Sequence, residues 1–496
     1  MRAFQNGGGE HRYYVTCHPG LEEVVATELL SPHIRATGVQ PGRAGVSFVG
    51  DASTGYRANL WLRSAIRVLQ LLGVAELDPR RPGGDEVYRA MMEALPWTDL
   101  LQPNQSFAVE ARVRSCTNLT SSQLLVVRTK DAICDYIRDR RGAKPQPPEP
   151  GRTADLPLYC TAFQDRLTLY RDQGGVSLHR RGYRRAMHRA SLNESAAAGI
   201  LYLAGWDKLC MEGDGAVLAD PMCGSGTFLI EAALMASRTA PGLFRGWWPL
   251  QSWPDFDRGA WQQAVQEAID ARRAPLPGVA LLGNDVHAGA LGLALRDAES
   301  ARVKPVVTLH QGGCREWWLL AAPRLVVSNP PWGQRLMGLE EAAAEAGGGT
   351  RNSSSSDWQG SGYGEGRVAG AQLAEGLEDW WDDIARPSKE PPAGAGAGFA
   401  HRQFQQGGGV NSSGAEGLAA AWHDLSVFLK EQCGGAEACL LSGSSDATQH
   451  LRLRADKKWP LTIGGVDCRL LKYSIRGRVP APMPAPPLPT GRGQTL

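Results

Sequence analysis

Ala219-Asp-Pro-Met-Cys-Gly-Ser-Gly-Thr-Phe-Leu-Ile-Glu-Ala-Ala233 is the stretch whose reading decides the fold. Its first residue ends Ala216-Val-Leu-Ala219, an apolar run without helical period, the pattern of a strand buried on both faces. Gly224 and Gly226 follow at once, and glycine allows positive φ and close approach of a ligand to the backbone. Thr227 to Ala236 consists of helix formers, so the turn opens onto a helix N-terminus with free N–H groups and a positive dipole end. Asp220, at the strand's carboxyl end, can accept from an ammonium or a hydroxyl. The unit suits a small charged ligand held by Asp220, Cys223, Gly224, Gly226 and Thr227. An ordinary glycine turn has the same look. The dinucleotide pattern lacks its third glycine here, and there is no Walker lysine. Downstream, Val279-Ala-Leu-Leu-Gly-Asn-Asp285 reads as a second buried strand ending in an acid. Asp285 can bind two ribose hydroxyls or cap the helix predicted from His287 to Val303.

A second motif supplies chemistry. Leu325-Val-Val-Ser-Asn-Pro-Pro-Trp-Gly333 contains a third buried strand, which Pro330 and Pro331 end and stiffen. Asn329 then points its side-chain carbonyl into the crevice beyond the strand ends. With the Pro330 backbone carbonyl it can accept two N–H bonds from an exocyclic amine. An aryl amine is a poor nucleophile because its lone pair is delocalised, so holding both N–H groups turns the lone pair towards an electrophile. Trp332 offers a face on which a base can stack, or it is simply core. In this order, the motifs point to transfer of a methyl group from S-adenosylmethionine to an amine nitrogen, with no metal.

The chain also resembles a known family. Gly20-Leu-Glu-Glu23, Lys130-Asp-Ala-Ile133 and Ser177-Leu-His-Arg-Arg-Gly-Tyr-Arg184 carry the likeness ahead of the glycine turn. Ala240-Pro-Gly-Leu-Phe-Arg-Gly246, the Asn-Pro-Pro motif, Leu451-Arg-Leu-Arg-Ala-Asp-Lys457 and Val466-Asp-Cys468 carry it onward. Together they resemble the N2-guanine methyltransferase half of the bacterial large-subunit ribosomal RNA methyltransferases with a THUMP domain. Asn-Pro-Pro alone is shared with adenine and glutamine methyltransferases. The resemblance implies an α/β fold: a Rossmann-like class I methyltransferase domain preceded by α+β ferredoxin-like and THUMP domains. It implies large-subunit ribosomal RNA as partner, S-adenosylmethionine as donor, and RNA contacts from Arg128, Lys130, Arg180, Arg181 and Arg184. Methylation of adenine N6, or an inactive RNA-binding assembly factor with this fold, are the alternatives. The family motif usually ends in Tyr where Trp332 stands. The acid expected near the adenine is replaced by Gly313, with Glu316 close by. The expectation is that the second methyltransferase domain fused to some members does not follow here.

Composition fits several domains with sizeable cores: 496 residues, 43% hydrophobic. A net charge of +2 excludes a generally cationic RNA binder, so an RNA surface must be a local patch. The 10 cysteines include no CxxC pair and no zinc spacing, which reads as reduced thiols. No stretch is long enough for a membrane span. The short polar lead before Tyr13 is brief for a transit peptide, so the expectation is a cytoplasmic monomer, or an organellar one if the natural N-terminus is longer. The expected division is a ferredoxin-like part over 1–50, a THUMP domain over 51–172, and a methyltransferase domain over 173–337 and 415–476. The segment 338–414 is a Gly/Ser-rich insertion expected to be disordered, and 477–496 is a Pro-rich tail. Strands are predicted at 13–17, 45–49 and 107–113, two more between 156 and 169, one at 438–442 and a hairpin over 461–474. Helices are predicted at 20–30, 56–72, 121–140 and 418–432.

Overall fold

The computed structural model describes residues 2–3, 9–184, 192–212, 215–332 and 412–477. The expected insertion and tail lie almost wholly outside them.

The N-terminal half is built on one sheet. Its strands run Thr37–Pro41, Gly45–Gly50, His11–Cys17, Ala65–Glu76, Arg166–Asp172, Leu156–Phe163 and Phe107–Arg114 across the sheet, with Arg2–Ala3 pairing Ala65–Glu76. Neighbours are antiparallel except Phe107–Arg114 with Leu156–Phe163. The long strand Ala65–Glu76 pairs His11–Cys17 on one side and Arg166–Asp172 on the other, so the two expected α+β units share one sheet.

The helix predicted over 56–72 is a correction. Helix Ala52–Trp61, capped by the Asp51 side chain, stops at Leu62, and the rest is strand. The buried Glu28 carboxylate accepts from the backbone N–H groups of Arg63 (2.7 Å) and Ser64 (3.0 Å). Those donors would otherwise continue the helix, so a residue far back in the chain ends it. The helix predicted over 121–140 is present as Ser122–Arg141, with the Ser121 hydroxyl accepting from Leu124 N–H and Gly142 in the left-handed region.

The second half has seven strands: β1 (Val217–Asp220), β2 (Ala280–Asp285), β3 (Val307–Gln311), β4 (Leu325–Ser328), β5 (Glu437–Ser442), β6 (Lys457–Ile463) and β7 (Val466–Ser474). Their order is β3-β2-β1-β4-β5-β7-β6. The first five are parallel and β7 is antiparallel to both neighbours. β1 and β4 are entirely buried, as their apolar runs require. Helices α1 (Thr227–Ala236), α3 (Ala288–Ser300) and α4 (Ser412–Gln432) flank this sheet, whereas α2 (Arg258–Asp270) packs on helix Ala52–Trp61 in the N-terminal core. α2 carries no strong signal in the sequence. Strand order reverses between β1 and β4, which opens a crevice beyond their carboxyl ends.

Candidate functional site

Asp220, Asp285 and Asn329 stand at that crevice because they end β1, end β2 and follow β4. Register fixes them on one edge: Gly283 lies opposite Asp220, and Val326 opposite Ala219. Asp220 is buried. Its Oδ1 accepts from the Ser328 hydroxyl (2.7 Å) and from Met222 N–H (3.2 Å). Burial pushes its carboxyl up to about 7, against those two hydrogen bonds, and the nearby Asp285 charge adds to the rise. Asp285 is the organiser of the glycine turn. Its Oδ2 accepts from Gly224 N–H and its Oδ1 from His287 N–H, both at 2.9 Å. One carboxylate thus holds the turn and starts α3, and half of its accepting capacity remains.

The residues of the first motif divide in role. Gly224 has φ +55, and an added Cβ would meet nothing within 4 Å, so a ligand can approach its backbone. Gly226 also has positive φ, but a Cβ there would lie 3.0 Å from Ala294 Cβ of α3. Its glycine serves helix packing. Cys223 is buried with its thiol far above the usual range through burial, so it contributes backbone alone. Thr227 is buried, and its hydroxyl accepts from Arg184 Nη2 at 2.5 Å. Asn284 carries no clear signal in the sequence, yet it braces the crevice. It donates to Pro221 O (3.1 Å) and Gly312 O (2.9 Å), and its Oδ1 lies 2.7 Å from His310 Nδ1. At the departure from the family pattern, the Glu316 carboxylate lies 3.4 Å from where a Gly313 side chain would begin. An acid is therefore present there, supplied from three residues on.

The second motif is held by tryptophans. Asn329 Oδ1 is buried and has no hydrogen-bond partner among the described residues. An orphaned buried acceptor is costly, and a site that waits for an N–H donor explains it. Pro331 O accepts from Trp422 Nε1 of α4 at 2.8 Å. Trp332 Nε1 donates to Leu441 O at 3.2 Å, and its ring lies on Gly443, where a Cβ would come within 2.5 Å. Trp332 is thus anchored to the end of β5 on one side while remaining half-exposed.

The expected RNA contacts separate sharply. Lys130 and Arg180 are exposed. Arg128 is half-buried; it pairs with Asp85 at 3.0 Å and lies over the Tyr88 ring. Arg181 and Arg184 are instead buried inside the protein. Arg181 is buried beside Glu231 (3.5 Å) and donates to the Leu178 and Arg63 carbonyls. Arg184 is buried beside Glu194 and Asp297, each at 3.4 Å. Their acids come from three other helices, which the local charge run cannot reveal. His179 is held neutral, its pKa pushed to about 3 by burial and then by Arg181 and Arg180. Among the described residues, no three His, Cys, Asp or Glu gather as metal ligands, and no helix is long and apolar enough to cross a membrane.

Three family models match the chain: an RlmL ferredoxin-like domain over 12–69, a THUMP domain over 85–172, and an RMKL-like methyltransferase domain over 181–344. Among curated relatives, the ribosomal RNA large subunit methyltransferase K/L of Syntrophotalea carbinolica is 28% identical over 492 residues, 98% of this chain and 56% of that one. The protein of the same name from Cellvibrio japonicus is 36% identical over 337 residues, 66% of this chain and 43% of that one. The chain spans about half the length of these relatives. A solved structure, SMU.472 complexed with SAH, is 21% identical, covers 97% of this chain and 100% of its own, and has a TM-score of 0.67. At that identity the likeness shows a shared fold, in keeping with the methyltransferase domain that the family model matches. In sequence, the chain thus carries a match to an RlmL ferredoxin-like domain, then one to a THUMP domain, then one to an RMKL-like methyltransferase domain.

Proposed function

We propose that this protein methylates the exocyclic N2 of a guanine in large-subunit ribosomal RNA, with S-adenosylmethionine as donor. The observation that carries the reading is the buried, unpartnered Asn329 Oδ1 at the end of β4, beside the glycine turn. The donor, when bound, supplies an electrophilic methyl. Its fit to this chain rests on the open backbone at Gly224, the acids Asp220 and Asp285, and the N-terminus of α1. Asp220 accepts from the donor's ammonium, and Asp285 from its ribose hydroxyls.

The residues at the end of β4 then handle the amine. Asn329 Oδ1 and the Pro330 carbonyl accept its two N–H bonds and hold it so that the lone pair faces the methyl. Positioning does most of the work, because the leaving group is already good. Trp332 takes the base on its free face, and the base must leave its stack to arrive there. The names of the curated relatives support ribosomal RNA as the substrate class. Incubation of the protein with large-subunit ribosomal RNA and donor, then digestion to nucleosides and mass spectrometry, tests the reading. N2-methylguanosine is expected; N6-methyladenosine or no methylated nucleoside would overturn it.

A further inference from the structure

Two helices of the methyltransferase domain end in an unusual way. α1 ends at Ser237, and the next residue, Arg238, has φ +49; α3 ends at Ala301, and Arg302 follows at φ +57. The turns close in the ordinary manner, Thr239 N–H donating to Leu234 O and Val303 N–H to Ala298 O, both at 2.9 Å. That left-handed position is normally glycine or asparagine, because a Cβ crowds the next carbonyl. Arg35 of the N-terminal half is left-handed too, at φ +64. Local strain kept in this way calls for a reason outside the turn itself.

The turns at Arg238 and Arg302 share one surface. Arg272, Arg273 and Arg302 line a cavity of about 430 Å³ together with Ser237 and Thr239, the neighbours of Arg238. Arg238 and Arg273 both reach Met211 Sδ, at 3.9 and 2.8 Å. Neither has a carboxylate partner among the described residues, and Arg273 Nε is buried without a hydrogen bond. At the margin, His33 stacks on Trp61 with ring centroids 4.0 Å apart. Its pKa is lowered by burial and then by the charges of Arg238, Arg63 and Arg35, of which Arg35 pairs with Glu267 at 3.7 Å. The ends of α1, α2 and α3 meet here, and their carbonyls attract cations. That attraction accounts for an arginine per helix end. It does not account for arginine where asparagine fits better, nor for an open cavity among like charges. The surface lies at the far end of α1 from the glycine turn, so it is no part of the donor site.

We propose that this surface, Arg238, Arg272, Arg273 and Arg302 with the His33–Trp61 stack at its edge, binds the phosphate backbone of the RNA substrate. The inference rests on the RNA reading above. A chain with net charge +2 needs such a local patch, and clustered arginines beside an aromatic pair suit phosphates and an adjoining base.

The test uses the full chain with the double variant Arg238→Asn, Arg302→Asn, since asparagine keeps the left-handed turns and removes the charges. Fluorescence anisotropy with a labelled fragment of large-subunit ribosomal RNA is read across a salt series. The variant should bind RNA about tenfold more weakly at low salt, with the log–log salt slope smaller by roughly one to two. Donor affinity and melting temperature should hold. Arg273→Gln, which needs no special backbone, should move RNA affinity in the same direction. Unchanged RNA affinity and slope in both variants would overturn the proposal. So would loss of inorganic phosphate binding with RNA binding intact, since the cavity would then serve a small anion. If the wild-type chain bound no RNA, the broader RNA reading would fall as well; if wild-type and variants bound and methylated RNA alike, only this proposal would fall.

Discussion

Asp220 is the residue on which the electrostatics of the site turn. Its carboxyl is raised from 3.8 to about 7 by burial, so the folded protein favours the neutral form. A raised carboxyl takes stability away as pH climbs from its unfolded value through the folded one. The protein should therefore lose some thermal stability between pH 4 and pH 7 through this group, and Asp220→Asn should flatten that part of the profile. Binding of the donor's ammonium favours the charged form. Donor affinity should then rise with pH up to about 7, by at most roughly tenfold per unit, with proton release on binding. Titration calorimetry in buffers of different ionisation enthalpy measures this; proton release equal in wild type and Asp220→Asn would remove Asp220 from the donor site. The sequence makes Asp220, Asp285 and Asn329 legible because strand ends carry their own signal, an apolar run that stops on a polar residue. It does not reveal that Asp285 also holds Gly224 N–H, or that Thr227 belongs to Arg184, because those partners come from distant segments.

At the scale of elements, apolar runs and glycine punctuation were enough to read β1, β2, β4, β5 and the terminal hairpin. They failed at Ala65–Glu76, where the helix ends because Glu28 captures two backbone donors. They were also silent on how the Asn-Pro-Pro loop is held, which depends on elements about a hundred residues downstream. Two substitutions examine that holding. Gly443→Ala places a Cβ 2.5 Å from the Trp332 ring and should displace it, slowing methyl transfer while donor affinity stays unchanged. Trp422→Phe removes the N–H donated to Pro331 O, a net loss of roughly 1 kcal/mol, so single-turnover transfer should slow about fivefold. A Trp422→Phe enzyme with wild-type rate and normal stability would mean that α4 does not brace the loop.

On the scale of the whole molecule, half-buried ion pairs tie Asp255 and α2, which come late in the chain, to the N-terminal unit. Arg57 holds Glu267 of α2 through two bonds, at 3.0 and 3.1 Å, and Arg171 of the N-terminal sheet holds Asp255. Arg171 is 4% exposed, so Asp255→Ala leaves a buried guanidinium that keeps, among the described residues, Gln70 and the Trp253 ring. Asp255 itself is partly solvated, so the cost should be moderate, roughly 1–3 kcal/mol, read as a fall in melting temperature. A variant as stable as wild type would show that the pair does not make this tie. The sequence suggested the domain succession but not these ties, since its basic runs look like solvated faces until their acids are located in space. The central claim is that Asn329 clamps the amine during methyl transfer. Single-turnover transfer of labelled methyl to large-subunit ribosomal RNA, with donor saturating, tests it most directly. Asn329→Ala should fall by about a hundredfold or more, with donor and RNA affinity kept, because the lost acceptor acts chiefly in the transition state. A near-normal rate in that variant would contradict the account.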